Sequence, residues 1–468
     1  MCGAENAPLK KGGGGMRVPD GAREVLRALE NAGHAAYLVG GCVRDSLLAG
    51  AEAAVHDWDI CAAAKPEELK AALSGYRTID TGWKHGTLTV LLPDGRYEVT
   101  ACRIDGAYSD GRHPDSVAFT DDITADLSRR DFTINAMAMT VDADGNTAAV
   151  IDPFGGRGDL ARRRLRCVGD PDARFAEDAL RILRALRFAA RLGLTIEAAT
   201  GEAMLRKRAL LQRISAERLM DELSGILLAE RGWAYLREYR DVLTELVPEL
   251  RPSVGFAQNN PWHCHDVFDH ILLSVGNAPA ELTVRLALLL HDVGKPETAA
   301  TDEAGVTRFR GHPEVSAAMA ERILRRLRCP ARLTREVVEL VRFHDVEVQP
   351  AEKALRRLLN KLGAEQARRL FQVKRADTLA QSERSREIML PLLRQSEALL
   401  ERIVAEGQAF SLKDLAIDGN DLLARGVAPG PALGARLQRA LDAVLDGEAE
   451  NEREALLAVA LRDGAETR

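Results

Sequence analysis

The sequence predicts an α+β protein in which a small mixed β-sheet forms a head and the rest of the chain is helical. Segments with the alternating pattern of strands lie before residue 155, whereas later segments repeat their apolar residues at helical spacing. Aromatic residues make up only 4% of the chain, and Ala, Leu and Arg predominate, which also favours helix. A chain of 468 residues is long enough for about two to four domains with their own cores.

The composition is that of a soluble globular protein, with 46% hydrophobic and 29% charged residues. A net charge of −6 does not exclude nucleic acid as a partner, because binding needs only a local basic surface. Residues 156–218 contain 15 Lys and Arg against 8 Asp and Glu. This segment predicts either such a basic surface or a solvated helical face.

Cysteine usage and hydropathy bear on the compartment. The seven cysteines are scattered and form no Cys-x-x-Cys pair, which favours a reducing compartment without disulfides or structural zinc. No apolar run approaches the roughly 18 residues of a membrane helix, and no signal peptide opens the chain. We therefore expect a cytoplasmic protein with no membrane partner. Residues 1–15 have the composition of a disordered leader, with Met16 as an alternative translation start.

The first motif follows a helix predicted over residues 19–32. Residues 37–39 predict a short buried strand, Gly40 and Gly41 a tight turn, and residues 42–48 a helix. Backbone N–H groups at such a turn and helix N-terminus suit a phosphate. A Gly-Gly pair taken alone is usually only a turn.

Two carboxylates, Asp57 and Asp59, come next. If this segment is a strand, they project from one face, roughly 6.5–7 Å apart along the chain. Carboxylates so placed can hold a pair of Mg²⁺ ions about 3.5–4 Å apart for in-line displacement at phosphorus. An isolated Asp-x-Asp is more often part of a solvated loop. Its order and spacing relative to the glycine turn at Gly40 are what make the signal specific.

A hairpin is predicted over residues 87–92 and 96–102, around Pro93-Asp94-Gly95. Its second strand carries Glu98, which a shared sheet would bring beside Asp57 and Asp59. A third carboxylate there would bind metal or accept the proton of an attacking hydroxyl. The alternative is an exposed glutamate with no catalytic role.

Two further segments carry charged motifs. In Arg129-Arg130-Asp131, which we predict to open a helix over residues 129–138, the arginines can neutralise a triphosphate and the carboxylate can accept a hydrogen bond from a ribose hydroxyl. On a helix predicted over residues 176–184, Asp178 and Arg181 stand at i and i+3, where a structural ion pair is the ordinary expectation. Arg184 and Arg187 continue that face, toward nucleic-acid phosphates or solvent.

Together, Gly-Gly-x-Val-Arg-Asp followed by His-Asp-x-Asp resembles the nucleotidyltransferase head of the polymerase-beta superfamily. More narrowly, the sequence is similar to the bacterial class II tRNA nucleotidyltransferases, the CCA-adding enzymes, and to related poly(A) polymerases. The resemblance covers roughly residues 16–377. It implies that the 3′-hydroxyl of tRNA attacks the α-phosphate of CTP or ATP, with Mg²⁺ on Asp57 and Asp59. It also places Gly40, Gly41 and Arg44 at the triphosphate.

The resemblance assigns roles to the later motifs as well. Asp131, in a segment that extends to Asn135, would select ribonucleotides. Asp178 and Arg181 would imitate a template by reading the edge of the incoming base. We also expect Arg184 and Arg187, further along the same segment, to bind the nucleotide. Residues 103–119, rich in Gly and polar residues, match a flexible loop that assists the change from adding C to adding A.

The histidines of the second half have a recognisable order. His270, then His291-Asp292, then Asp377 resembles the metal site of HD domains, and His312 and His344 match the two extra histidines of many HD phosphohydrolases. Imidazoles with carboxylates suit Mn²⁺, Ni²⁺ or Fe²⁺ better than Mg²⁺. The resemblance implies phosphatase or cyclic phosphodiesterase activity, or a degenerate scaffold. Scattered surface or core histidines are the alternative.

These motifs suggest a division of the chain and leave several functions open. After the leader we expect the head over residues 16–155, a helical neck for base selection and RNA binding over 156–255, an HD domain over 256–380 and a tRNA-contacting tail over 381–468. Enzymes that add only CC or only A remain alternatives. A poly(A) polymerase is less favoured because no Gly-Arg-Arg-Phe-like element lies near residues 87–102. An HD phosphohydrolase and an RNA-binding protein with an inactive head are rivals from other classes, and the oligomeric state is open.

Overall fold

The computed structural model describes residues 16–49, 55, 57–83, 86–106, 108, 116–408 and 410–462. The predicted leader, His56 of the acidic motif and most of the loop between residues 106 and 116 lie outside the described residues. The described chain falls into two compact units, divided between Leu246 and Val247.

The first unit contains a mixed sheet with the strand order β3-β4-β5-β2-β1-β8-β9. Two small pairs, β6–β7 and β10–β11, lie outside this sheet. The strands of the unit are β1 (Ala36–Val39), β2 (Asp59–Ala62), β3 (Arg77–Gly82), β4 (Thr87–Leu92), β5 (Gly95–Ala101), β6 (Arg103–Asp105), β7 (Val117–Phe119), β8 (Ala138–Val141), β9 (Thr147–Ile151), β10 (Arg164–Leu165) and β11 (Thr195–Ile196).

The register of the central strands decides where the carboxylates stand. β2 pairs antiparallel with β1, which sets Asp59 opposite Val39. It pairs in parallel with β5, which sets Asp59 opposite Glu98. The predicted hairpin is confirmed, since β4 and β5 are antiparallel with Leu92 opposite Gly95.

Helices complete the first unit, and α2 leaves the glycine turn as predicted. They are α1 (Asp20–Asn31), α2 (Gly41–Ala49), α3 (Pro66–Ala72), α4 (Ile123–Ser128), α5 (Gly156–Ala161), α6 (Pro171–Glu177), α7 (Leu180–Leu192), α8 (Ala198–Lys207), α9 (Ala216–Leu228), α10 (Gly232–Glu238) and α11 (Arg240–Leu246).

Two predictions in this unit are wrong. Residues 129–138 do not form a helix: a short 3₁₀ turn, Thr133–Asn135, leads into β8. Every residue from 131 to 139 is buried, and a short run that is buried all round has no periodicity to tell helix from strand. The helix predicted over residues 176–184 is broken at Asp178, whose backbone is extended (φ −143°, ψ 103°) between α6 and α7.

Over its described residues, the second unit is helical apart from one small pair of strands, β12 (Ala300–Thr301) and β13 (Thr307–Arg308). The apolar run 286–290 is a buried helix that ends directly before His291, as predicted. The helices are α12 (Val267–Asn277), α13 (Leu282–Leu290), α14 (Lys295–Thr298), α15 (His312–Arg326), α16 (Ala331–Phe343), α17 (Glu352–Leu379, kinked at Gly363), α18 (Glu383–Ala405), α19 (Gly419–Leu423), α20 (Pro431–Asp446) and α21 (Arg453–Ala460).

The predicted fold class is confirmed: a small mixed sheet comes first and helices follow. Behind the carboxylate strands, a core that includes Val39, Cys61 and Leu127 holds β1 and β2 against α4. Such burial stabilises each large apolar side chain by about 1.5–3 kcal/mol. Among the described residues, no helix is long and apolar enough to cross a membrane.

Candidate active site and candidate metal centre

Three carboxylates meet at one edge of the head sheet. Asp59 begins β2, Asp57 lies two residues before it, and Glu98 stands beside Asp59 on the neighbouring strand. Strands in a sheet lie about 4.8 Å apart, so Asp59 and Glu98 are direct neighbours. The sequence predicted this approach of Glu98, although Asp57 precedes the strand where we had expected both aspartates to lie within it.

The electrostatics of this edge fit a bound cation. Burial raises the pKa of Asp59, and the charges of Glu98 and Asp57 raise it further, while Arg130 lowers it. One nearby guanidinium therefore does not offset three carboxylates. Because all the candidate ligands are oxygens, the group suits a hard divalent cation.

The glycine turn stands next to these acids. Gly40 has φ +73°, which L side chains rarely adopt, and a Cβ there would lie 2.8 Å from Nη1 of Arg130 and 3.8 Å from Oδ2 of Asp59. The turn thus brings backbone, Arg130 and Asp59 together at the N-terminus of α2. A cleft of about 780 Å³ opens here, lined by residues that include Gly40, Gly41, Asp57 and Asp59.

The two arginines that the sequence predicted for a triphosphate differ in their surroundings. Arg129 donates from Nε and Nη2 to Oδ1 of Asp126, at 2.9 and 2.8 Å. Arg130 makes one longer contact to Oδ2 of the same aspartate, at 3.3 Å. Asp126 is fully buried, so it holds both guanidinium groups from behind. Arg130, beside Gly40, is the better placed for a phosphate.

A hydrogen-bonded chain crosses the next part of the cleft. Arg44 is bidentate with Asp45, and its Nη1 donates to Oδ1 of Asn135 at 2.7 Å. Asn135 donates from Nδ2 to Asp131 at 3.1 Å, and Asp131 accepts two bonds from Arg184, at 2.9 and 2.7 Å. Burial would raise the pKa of Asp131, but Arg184 and Asn135 outweigh it and hold the pKa below its ordinary value. Asp131 therefore stays ionised.

The alternative of a structural ion pair between Asp178 and Arg181 is not what the structure shows, because each side chain has another partner. Arg181 pairs with Glu177 at 2.6 Å and donates to the carbonyls of Arg174 and Arg129. Asp178 pairs with Arg218 at 2.9 Å. Both Asp178 and Arg181 nevertheless line the cleft, as their predicted role requires.

Two residues of the cleft, Arg218 and Phe188, and one behind it, Glu222, had no assigned role in the sequence. Glu222 lies 2.7 Å from Nε of Arg187, and Arg218 holds Asp178. Phe188 lies under three guanidinium groups, of Arg44, Arg184 and Arg187, each 5.2–5.3 Å from its ring centre. In a sequence, such residues cannot be told from those of an ordinary apolar or solvated helix face. The only signal was the helical spacing of Arg184, Arg187 and Phe188, which places them on one surface of α7.

The second unit assembles the predicted histidines around Asp292. His270 and His291 approach Oδ2 of Asp292, at 3.3 and 3.1 Å, whereas His312 and His344 approach Oδ1, at 3.3 and 3.7 Å. Asp377 lies 2.9 Å from Nε2 of His270. All six predicted residues thus converge, and the two groups that could each hold a metal ion share Asp292.

The backbone orients these imidazoles. Nδ1 of His291, His312 and His344 lies 2.6–2.7 Å from the carbonyl oxygen three residues earlier, so each Nδ1 donates and each Nε2 faces the centre. His270 makes a longer contact with the carbonyl of Ala380, at 3.4 Å. The Nε2 atoms meet in pairs, 3.3 Å apart for His270 and His291 and 3.2 Å apart for His312 and His344.

The buried charges of this centre fit metal ions. Asp292 is 1% exposed, yet neither of its carboxylate oxygens makes a well-formed hydrogen bond, although Nζ of Lys295 lies 2.7 Å from Oδ2. Burial lowers the pKa of His291, but Asp292 and Asp377 outweigh it and raise the pKa to about 10. The field therefore favours a cation. Imidazole and carboxylate ligands suit a transition metal. Lys295 and the nearby His263 were not predicted.

The mixed sheet, its edge of carboxylates and the arginine-lined cleft define a metal-dependent nucleotidyltransferase. Family models agree: the poly A polymerase head domain matches residues 36–166, the probable RNA and SrmB-binding site of polymerase A matches 193–253, and a putative tRNA nucleotidyltransferase domain 2 matches 299–460.

Curated relatives narrow the class. The CCA-adding enzyme of Lactobacillus delbrueckii subsp. bulgaricus is 33% identical over 93% of this chain and 96% of its own length. That of Levilactobacillus brevis is 36% identical over the same shares. The chain therefore belongs to the CCA-adding enzymes. The crystal structure of the Bacillus stearothermophilus CCA-adding enzyme in complex with CTP is similar over 94% of this chain and 95% of that one, with 30% identity and a TM-score of 0.68.

Proposed function

We propose that the protein adds CCA to the 3′ end of tRNA without a template, from CTP and ATP, and releases pyrophosphate. The observation that carries this proposal is the register that sets Asp59 opposite Glu98, at the edge of a cleft that also contains Asp178 and Arg181. The relative of known structure described above was solved with CTP, which supports the nucleotide.

Different side chains of the cleft would bind the metal and the triphosphate. Enzymes of this family use a divalent metal, and we assign Mg²⁺ to Asp57 and Asp59, where it would stabilise charge on the phosphate. Glu98 adds negative charge at this edge. Arg130 and the N-terminus of α2 bind the triphosphate, with Arg44 and Arg129 holding the surrounding charges in place.

Base and sugar would be recognised on the other side of the cleft. Asp131, fixed by Arg184 and Asn135, faces the ribose, and Arg187 extends the basic surface beside it. Asp178 and Arg181 offer an acceptor and a donor to the base. Cytosine and adenine both present an amino group beside an unprotonated ring nitrogen, and uracil and guanine present the opposite pattern. This chemistry would select C and A.

The proposed division of the chain keeps the sequence boundaries: a head over residues 16–155, a neck over 156–255, an HD domain over 256–380 and a tail over 381–468. We assign the neck and tail to tRNA. One family model names residues 193–253 as a probable RNA-binding site, which supports the neck.

The test is an addition assay with purified protein, Mg²⁺ and a tRNA transcript that lacks its 3′ CCA. We expect growth by three nucleotides with CTP plus ATP and then a stop, and no growth with Asp57→Ala. Growth by two with CTP alone and no later A would make the protein a CC-adding enzyme. An A added only to tRNA ending in CC would make it an A-adding one, and an unlimited A ladder a poly(A) polymerase.

A second activity is favoured by the histidine centre. We infer that His270, His291, Asp292, His312, His344 and Asp377 hold two transition-metal ions that share Asp292, and that the centre hydrolyses phosphate esters. The paired Nε2 atoms and the approach of four imidazoles to the buried carboxylate of Asp292 support this inference. A cavity of about 800 Å³ adjoins the centre, with Trp262, Lys295 and Arg310 in its wall.

Metal analysis and a phosphomonoester substrate test this second activity. Protein loaded with Mn²⁺ or Ni²⁺ should hydrolyse p-nitrophenyl phosphate, and His291→Ala should lose both metal and hydrolysis, whereas Asp57→Ala should keep them. Bound metal without hydrolysis would reduce the centre to a scaffold. No bound metal in the unaltered protein would overturn the inference.

A further inference from the structure

Arg218 is a residue of the cleft to which neither the predicted mechanism nor the family models assign a role. It lies in the first turn of α9, and its Nη2 donates to Oδ2 of Asp178 at 2.9 Å. Its Nη1 is buried and has no hydrogen-bond partner. A buried donor on a charged group without a partner is unfavourable, and in a native structure it requires an explanation.

The orientation of the Asp178 side chain depends on this contact, because the residue does not lie within a helix. The residue is extended between α6 and α7, so no helix fixes its side chain. Its Oδ1 accepts the backbone N–H of Leu180 at 3.0 Å and caps the start of α7. Arg218 holds the other oxygen. The orientation of the carboxylate is thus set by one backbone group and one guanidinium.

Arg181, the other proposed base-reading residue, is fixed independently of Arg218. Its guanidinium is held by Glu177 and by the carbonyls of Arg174 and Arg129, and it is 11% exposed. Loss of Arg218 would therefore disturb the acceptor of the base-reading pair and leave the donor in place.

We propose that Arg218 is a specificity-determining positioning residue for nucleotide addition: one nitrogen aims Asp178 at the amino group of cytosine or adenine, and the free nitrogen donates to the bound nucleotide. The proposal rests on the function proposed above. It explains both the Asp178 contact and the unpartnered donor, which a purely structural ion pair would leave unexplained.

The experiment compares Arg218→Gln and Arg218→Lys with the unaltered protein on tRNA lacking CCA, supplied separately with CTP, UTP, ATP or GTP. We expect Arg218→Gln to reduce the preference of kcat/KM for CTP over UTP by about 10- to 100-fold, since a misplaced hydrogen-bonding group costs that much discrimination. KM for the nucleotide should rise while KM for tRNA stays constant. Lysine keeps the charge and one donor, so it should restore part of the preference.

Arg325→Gln is the control, because Arg325 also pairs with an acid, Glu321, but on the exposed surface of α15, outside the neck and tail that we assign to tRNA. It should leave the preference unchanged. Equal losses for all four nucleotides in Arg218→Gln, with a lowered melting temperature, would overturn the proposal in favour of a structural role. If the unaltered protein adds no nucleotide, the proposed function fails; if it adds CCA and Arg218→Gln still excludes UTP, only this inference fails.

Discussion

The carboxylate cleft of the first unit and the histidine centre of the second both gather negative charge, but they balance it differently. In the cleft, arginines surround the acids: Arg130 faces Asp59 and Arg184 faces Asp131. In the centre, imidazoles surround Asp292, with Lys295 as the nearest permanent cation. Arginine forks suit an anionic ligand that brings its own phosphates, whereas imidazoles suit a resident transition metal.

The two sites would therefore acquire their metal ions in different ways. The cleft is open and its carboxylates are partly exposed, so metal can enter with the nucleotide. Asp292 is 1% exposed and His270 is 1% exposed, so the centre would keep its metal between turnovers. A protein with these two sites should therefore lose one activity without the other.

The largest expected effect tests this independence. Asp59→Asn should lower nucleotide addition about a thousandfold or more, because it removes a charged ligand that is worth several kcal/mol at the transition state. His291→Ala should leave addition within about twofold and remove the transition metal, measured by elemental analysis of the purified protein. A joint loss of both properties in either variant would contradict the independence of the two sites.

The sequence identified the residues of the two sites to different extents. In the head, the sequence predicted the hairpin and placed Glu98 in the same sheet as Asp59, but the register of β5 on β2 comes from a parallel pairing that no short turn fixes. At the centre, the sequence named all six residues that converge around Asp292, although they come from α12 to α17. Arg218, Glu222 and Lys295 were missed, since a charged residue on a helix looks the same whether it faces solvent or a site. The break at Asp178 carried a signal, because aspartate is a preferred helix N-cap.

A smaller effect is expected at Asp126, whose negative charge balances Arg129 and Arg130 behind the cleft. Asp126→Asn should lower the free energy of unfolding by about 3 kcal/mol, because it leaves Arg129 and Arg130 with a buried neutral partner. Burial would raise the pKa of Asp126, but Arg129 and Arg130 outweigh it and lower the pKa below 3.8. The stabilisation is therefore complete above that pH and disappears as the pH falls through the lowered pKa.

Urea unfolding of both proteins between pH 7 and pH 3 measures this effect. The difference between Asp126→Asn and the unaltered protein should be largest near neutrality and should shrink below about pH 4. Asp172→Asn, which removes an exposed partner of Arg206, serves as the control and should change nothing measurable. A difference that stays constant with pH would show that Asp126 acts through packing and not through its charge.

The smallest effect is expected at the glycine turn beside the carboxylates. Gly40→Ala places a side chain at φ +73°, which costs about 1–2 kcal/mol, and its Cβ would lie 2.8 Å from Nη1 of Arg130. Gly33→Ala is matched for backbone strain, at φ +89°, but has nothing within 4 Å. Both variants should lose similar stability and keep the metal of the histidine centre. Only Gly40→Ala should lower nucleotide addition, by about tenfold through a raised KM for CTP, since Arg130 must move away from the phosphates. Equal activity in the two variants would show that the cleft tolerates displacement of Arg130, and Arg129 would then be the residue that binds the triphosphate.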